Sequence, residues 1–165
     1  MSSITVTSDD ALAQQKLQRL AQIVARPAAA LNQSAQALRR LVQDTFRDER
    51  DPWGGYWQRH AAPTVRARNR SSASGQILLD TGRMYGSIDA IADDGGVTVG
   101  VGTEYASYHQ FGNPNHRAWG GKVSPLAQRA FLPERAPGIV DIPAPWWYEI
   151  LFPVESALER AGAGA

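Results

Sequence analysis

The sequence predicts an α+β domain with helices at both ends and a small antiparallel sheet between them. Three patterns carry that reading. Apolar residues recur at helical spacing before residue 46 and again after residue 146, and a period of two takes over near residues 83–101. The run Asp93-Asp94-Gly95-Gly96 interrupts the alternation and supplies the positive-φ residues that a tight hairpin needs. At 165 residues and 43% apolar content, the chain has enough material for one core of its own. It reads as a single domain: an N-terminal helical segment over 1–30, a core over 31–160, and a tail over 161–165 expected to fray.

The elements follow in order. Ser8, Asp9 and Asp10 can cap a helix and place negative charge at its positive end. Leu12, Leu17, Leu20 and Val24 continue it until Arg26-Pro27 breaks or kinks the run. In a second helix Leu31, Ala35, Leu38, Val42 and Phe46 form one stripe, while Arg39, Arg40 and Gln43 face solvent or a neighbour. The two helices form an antiparallel pair or one bent helix.

Asp51-Pro52 and Gly54-Gly55 then mark a turn region that carries Trp53, Tyr56 and Trp57. From Arg83 a strand runs through Ile88, Ala90 and Ala92, turns at Asp94-Gly95, and returns through Val97, Val99 and Val101. A short helix begins at Thr103 or Glu104 and ends at Gly112. Gly112 to Arg129 is an irregular loop of a length that is usually functional or disordered. Ala130-Phe131-Leu132 reads as a third short strand. The last helix follows Pro143 and Pro145, with Trp146, Ile150, Val154 and Leu158 on one face and Pro153 placed to kink it.

Composition narrows the function classes. Seventeen basic residues against sixteen acidic ones give a net charge of +1, which offers no global attraction to nucleic acid or anionic membrane. Cysteine is absent, so disulfides and thiolate metal sites are excluded, in keeping with a reducing cytoplasm. No apolar run reaches the ~18 residues of a membrane span, and the polar N-terminus does not read as a secretory signal.

Candidate chemistry is sparse. His109 and His116 are separated by a Gly-Asn-Pro-Asn turn, with no further histidine nearby in sequence to complete a zinc site. Asp80, Asp89, Asp93, Asp94 and Glu104 have no spacing that forces two carboxylates together. Neither Ser87 nor Ser107 lies in an elbow motif. No catalytic residue, metal ligand or cofactor is therefore expected. Thr81-Gly82 reads as a turn or as a close backbone contact with a neighbour. Tyr105, Tyr108 and His109 share a helical face that packs on the hairpin or meets another subunit.

Arg66, Arg68 and Arg70 alternate, so on a strand they would line one face and could grip phosphate; in a solvated loop or in ion pairs they would not. Trp119, flanked by Ala118 and Gly120, has poor prospects of packing locally and is expected beneath a neighbouring chain.

Four groups of residues, in this order, carry a resemblance. They are Phe46, Asp51-Pro52-Trp53-Gly54 and Trp57; Leu79, Thr81-Gly82-Arg83-Met84 and Ser87-Ile88; Val99-Gly100, Tyr105-Ala106 and His109-Gln110-Phe111-Gly112; and Arg129-Ala130-Phe131-Leu132. Together they resemble the phage virion morphogenesis family, the tail completion proteins of tailed and Mu-like phages, from about Leu31 to about Leu158. The chain departs from the pattern at Ala130, where related sequences often carry proline, and the loop Asn113 to Gln128 looks individual.

The resemblance implies a structural protein of the virion, assembled in the host cytoplasm, that completes the tail and joins it to the neck. It implies a ring of copies, with neck or adaptor proteins on one side and tail terminator or tail tube proteins on the other. About six copies close such a ring on a sixfold tail, a dodecamer being the other closure. The candidate contact residues are Trp53, Trp57, Tyr105, Tyr108, His109, Phe111, His116 and Trp119. Arg66, Arg68 and Arg70 are the candidates for facing genomic DNA in the lumen, or for a nucleic-acid-associated role as the rival function.

Overall fold

The computed structural model of the chain describes residues 14–15, 17–18, 21–22, 27–71, 75–93, 96–117 and 121–163. Its elements are α1 (Ala28–Asp48), α2 (Ala62–Ser71), α3 (Arg83–Gly86), β1 (Ile88–Asp93), β2 (Gly96–Val101), α4 (Ala106–Phe111), β3 (Glu134–Ala136), β4 (Ile139–Val140) and α5 (Ala144–Ala163). The α+β class stands. The described residues between 14 and 22 are helical and exposed, Leu17 among them. How that segment joins α1 lies outside the described residues, as does the tip of the hairpin at Asp94-Gly95.

The stripe read from the sequence is the buried face of α1: Ala35, Leu38, Val42 and Phe46 are all inside. The helix ends because Glu49 turns left-handed at φ 53°, and the Arg50 amide closes on the Thr45 carbonyl at 3.1 Å. Glu49 then acts as a tie, its Oε1 accepting the Ile77 amide at 2.7 Å.

β1 and β2 pair antiparallel with Ile88 opposite Val101 and Asp93 opposite Gly96, which leaves the expected two-residue connection. Ile88 and Ala90 point inward while Asp89 and Ile91 face out, as a period of two requires. α1 packs on both strands, and α5 packs along α1. Trp146 and Ile150 of α5 join Ile88 of the sheet in one core cluster with Leu38, Val42, Phe46, Trp57, Met84 and Phe131. Phe46 is the hub, with its ring 5.6 Å from Trp57, 5.3 Å from Phe131 and 5.8 Å from Tyr85. Each such pair adds about 1 kcal/mol beyond area burial.

Pro153 lies within α5. It lacks the amide that would bond the carbonyl four residues back, and its ring crowds that turn. In the same turn the Ile150 carbonyl accepts the Ser34 hydroxyl of α1 at 2.6 Å, so the two helices are pinned where the proline loosens one of them.

Three local expectations are corrected. The strand begins at Ile88 and not at Arg83, because residues 83–86 form a helical turn entered through Gly82 at φ 72°. A Cβ at Gly82 would meet nothing within 4 Å, so the angle, and not crowding within the chain, is what calls for glycine. Ala130-Phe131-Leu132 is not a strand, because Gln110 takes over its backbone. The Gln110 Oε1 accepts the amides of Phe131 and Leu132, at 2.9 and 3.0 Å, and its Nε2 donates to the carbonyls of Leu132 and Glu134, at 3.0 and 2.8 Å. The third and fourth strands come later, as the hairpin β3–β4 turning at Gly138.

The third correction concerns Arg66, Arg68 and Arg70, which lie in helix α2 and not on a strand. Pro63 suits a first helical turn, and Ala67 and the arginines are good helix formers. Residues two apart on a helix point about 200° apart. Arg66 is accordingly exposed and Arg68 half-buried, so these two do not line one face as they would on a strand.

Candidate interaction surfaces

The motif residues serve the fold first. Trp57, expected among the contact residues, is buried edge-on against Phe46, and its Nε1 donates to the Ala130 carbonyl at 2.8 Å. Trp53 is half-buried beneath the Arg135 guanidinium, 4.1 Å from the ring centre. Its loop is closed by Asp51, whose Oδ1 accepts the amides of Trp53 and Gly55 at 2.9 and 2.8 Å. Tyr56 is exposed and stacks under Arg50. Phe111 is half-buried and lines a shallow hollow with Val101, Phe131 and Leu132. Gly112 at φ 75° admits the returning chain: a Cβ there would lie 3.1 Å from both the Leu126 carbonyl oxygen and the Gln128 amide nitrogen. The loop beyond it doubles back through antiparallel bridges Asn113–Leu126 and Arg117–Val123. Trp119 lies outside the described residues.

Tyr105, His109 and His116 meet at a cleft of about 790 Å³, while Tyr108 points away to solvent. The cleft gathers residues from five separate stretches. Gln58, Arg59 and His60 precede α2, and Arg68 comes from within it. Leu78, Asp80, Thr81, Gly82, Arg83 and Met84 lead into and form α3; Tyr105 caps α4 and His109 comes from within it; His116 and residues 124–127 and 129 come from the long loop. Four arginines and all three histidines of the chain thus face one carboxylate, Asp80. Leu78 in the cleft wall holds a left-handed backbone, φ 60°, uncommon for a leucine.

Arg129 sits at the floor with only 8% of its surface exposed. Its amide donates to the His109 carbonyl at 2.7 Å, and its Nε and Nη2 both donate to the Gln58 carbonyl at 3.0 and 2.8 Å. It makes no ion pair to a carboxylate among the described residues. Burial, and then the neighbouring Arg68, lower its pKa. His109 is pushed down to about 4 by burial and then by the charges of Arg129 and His116. His60 is lowered by burial, Arg68 and Arg129. His109 Nδ1 and His60 Nε2 are buried without a hydrogen-bond partner among the described residues. No group of three or more His, Asp or Glu able to hold a metal ion occurs among the described residues.

A second open surface was not expected from the sequence. α5 spends Trp146, Ile150 and Ala161 on the core, yet on another side it exposes Trp147 (46%), Tyr148 (64%), Leu151 (42%) and Phe152 (52%). Tyr148 and Phe152 pack ring to ring at 5.9 Å, which makes the stripe one apolar surface. A second apolar face left exposed on a helix is unusual for a domain on its own. The signal was present in the run Trp146-Trp147-Tyr148, since adjacent rings cannot share one helical face. No described helix is long and apolar enough to cross a membrane.

The small α+β domain thus spends many of its motif residues on its own core and leaves an aromatic helix face and a basic cleft open. The chain belongs to the phage virion morphogenesis family, which matches residues 8–139. That membership gives it a structural role in the making of a bacteriophage virion. The match starts before α1 and stops short of α5, so the exposed aromatic helix lies beyond the matched region. No curated protein and no solved structure matches the chain.

Proposed function

We propose that this protein completes the phage tail and joins it to the neck, working as a closed ring of copies without catalysing a reaction. The observation that carries the reading is the open face of α5, with Trp147, Tyr148, Leu151 and Phe152 free of the core on a protein of a virion-building family. Aromatic anchors of this kind dominate protein interfaces. Contacts that repeat head to tail close a ring when the rotation between copies suits the ring size, and on a sixfold tail that is about six copies, or twice that number. Neck or adaptor proteins would meet one side of the ring and tail terminator or tube proteins the other. Many modest contacts in a closed ring give a junction stronger than any one of them.

The test is electron microscopy of particles made with and without the chain. Wild-type particles should carry a ring of it between head and tail. Its removal should leave full heads and finished tails that fail to join. Normal, infective particles from a phage lacking the chain would overturn the proposal.

A further inference from the structure

Beyond the aromatic face, we propose that the cleft between α2, α3 and α4 is a receptor for an acidic peptide segment of a partner protein, held by Arg59, Arg83 and Arg129. The cleft is a built site. Its floor is Arg129, a buried residue whose guanidinium donates, among the described residues, to the Gln58 carbonyl. A buried cation without a counter-ion is costly, and a carboxylate placed beside it relieves that cost. Arginine's planar fork suits a carboxylate, because two parallel N–H groups can reach both of its oxygens. Two imidazole nitrogens, His60 Nε2 and His109 Nδ1, are also buried without a partner among the described residues, and both residues line the same cleft.

The charge is local. The chain as a whole is nearly neutral at +1, so the excess of four arginines over one aspartate here is a property of the cleft and not of a basic protein. Shape chooses between the anionic partners. The basic groups stand at different depths, from the exposed Arg59 and Arg83 at the rim to the buried Arg129 at the floor. A DNA duplex is too broad to enter and would meet the rim alone, whereas an extended peptide can reach the floor. Leu78, Met84, Tyr105 and Leu126 provide apolar wall for the methylenes of glutamate side chains. The volume of about 790 Å³ lies in the range of specific ligand sites, which hold a few residues of chain.

The inference rests on the junction role only for the source of the segment, a neighbouring virion protein. Its test is independent of that role. A fluorescent oligo-glutamate peptide is titrated into the full-length protein beside an oligo-glutamine peptide of equal length, inorganic phosphate and a short DNA duplex. The glutamate peptide should bind at least about tenfold more tightly than the glutamine peptide and should not be displaced by the duplex.

Arg59→Glu with Arg83→Glu, both on the exposed rim, should weaken it about tenfold or more, while Arg40→Glu with Arg160→Glu, off the cleft and equal in charge, should leave it unchanged. Melting curves of both pairs verify that they fold. Equal affinity for the two peptides, equal loss from both charge pairs, or preference for DNA or phosphate would overturn the proposal. Absence of the chain from virions would instead defeat the junction role and leave the peptide result standing.

Discussion

α1 and α5 are nearly equal in length, lie against each other, and put their apolar residues to different use. α1 carries one stripe, and the core takes it up from Ala35 to Phe46. α5 carries two apolar faces, and the core takes only the one bearing Trp146 and Ile150. The first helix is explained by the single domain. The second is not, because Trp147, Tyr148, Leu151 and Phe152 stay outside the core. The difference separates apolar residues that the core takes up from apolar residues that it leaves outside. The family match covers α1 and stops before α5.

That contrast can be broken by substitution. Phe46→Ala removes the hub of the core and its ring contacts, and should cost about 4 kcal/mol in a denaturant titration. A cost near zero would mean the core is not organised around α1.

Acid should act next. His109 has an ordinary pKa near 6.5 when unfolded and about 4 when folded. Between those values the unfolded chain binds the proton and the folded chain does not, so stability falls as pH drops from 6.5 toward 4. His60, also lowered, adds in the same direction. With allowance for partial exposure the His109 share is about 2 kcal/mol. His109→Gln should flatten the fall by that amount, and an unchanged slope would remove His109 as its source.

Ser34→Ala strips the Ile150 carbonyl of the hydroxyl that pins α5 to α1, and should cost about 1 kcal/mol. Amide hydrogen exchange along α5 should quicken around Pro153, and exchange as slow as in wild type would show that the pin carries nothing.

Much of the frame was legible in the residues. The alternation of Ile88, Ala90 and Ala92 and the stripe from Ala35 to Phe46 each report a neighbour on one side, and local periodicity records that directly. Gln110 was not legible as a clamp, because its partners lie 21 to 24 residues away and a buried glutamine leaves no pattern. α2 was misread because a helix whose described side chains are almost all exposed has no apolar stripe to show its period, while Arg66, Arg68 and Arg70 imitate a period of two. The cleft was invisible for a third reason. His60, Arg68, Arg83, His109 and Arg129 are distant in sequence and are brought together only by the fold.

The central claim is that the outer face of α5 serves assembly and not stability. The most direct measurement pairs the melting curve of Trp147→Ser with Phe152→Ser against the amount of that variant found in purified particles. The account predicts stability within about 0.5 kcal/mol of wild type and loss of the chain from the virion. A variant that folds as well and is incorporated as fully as wild type would contradict it.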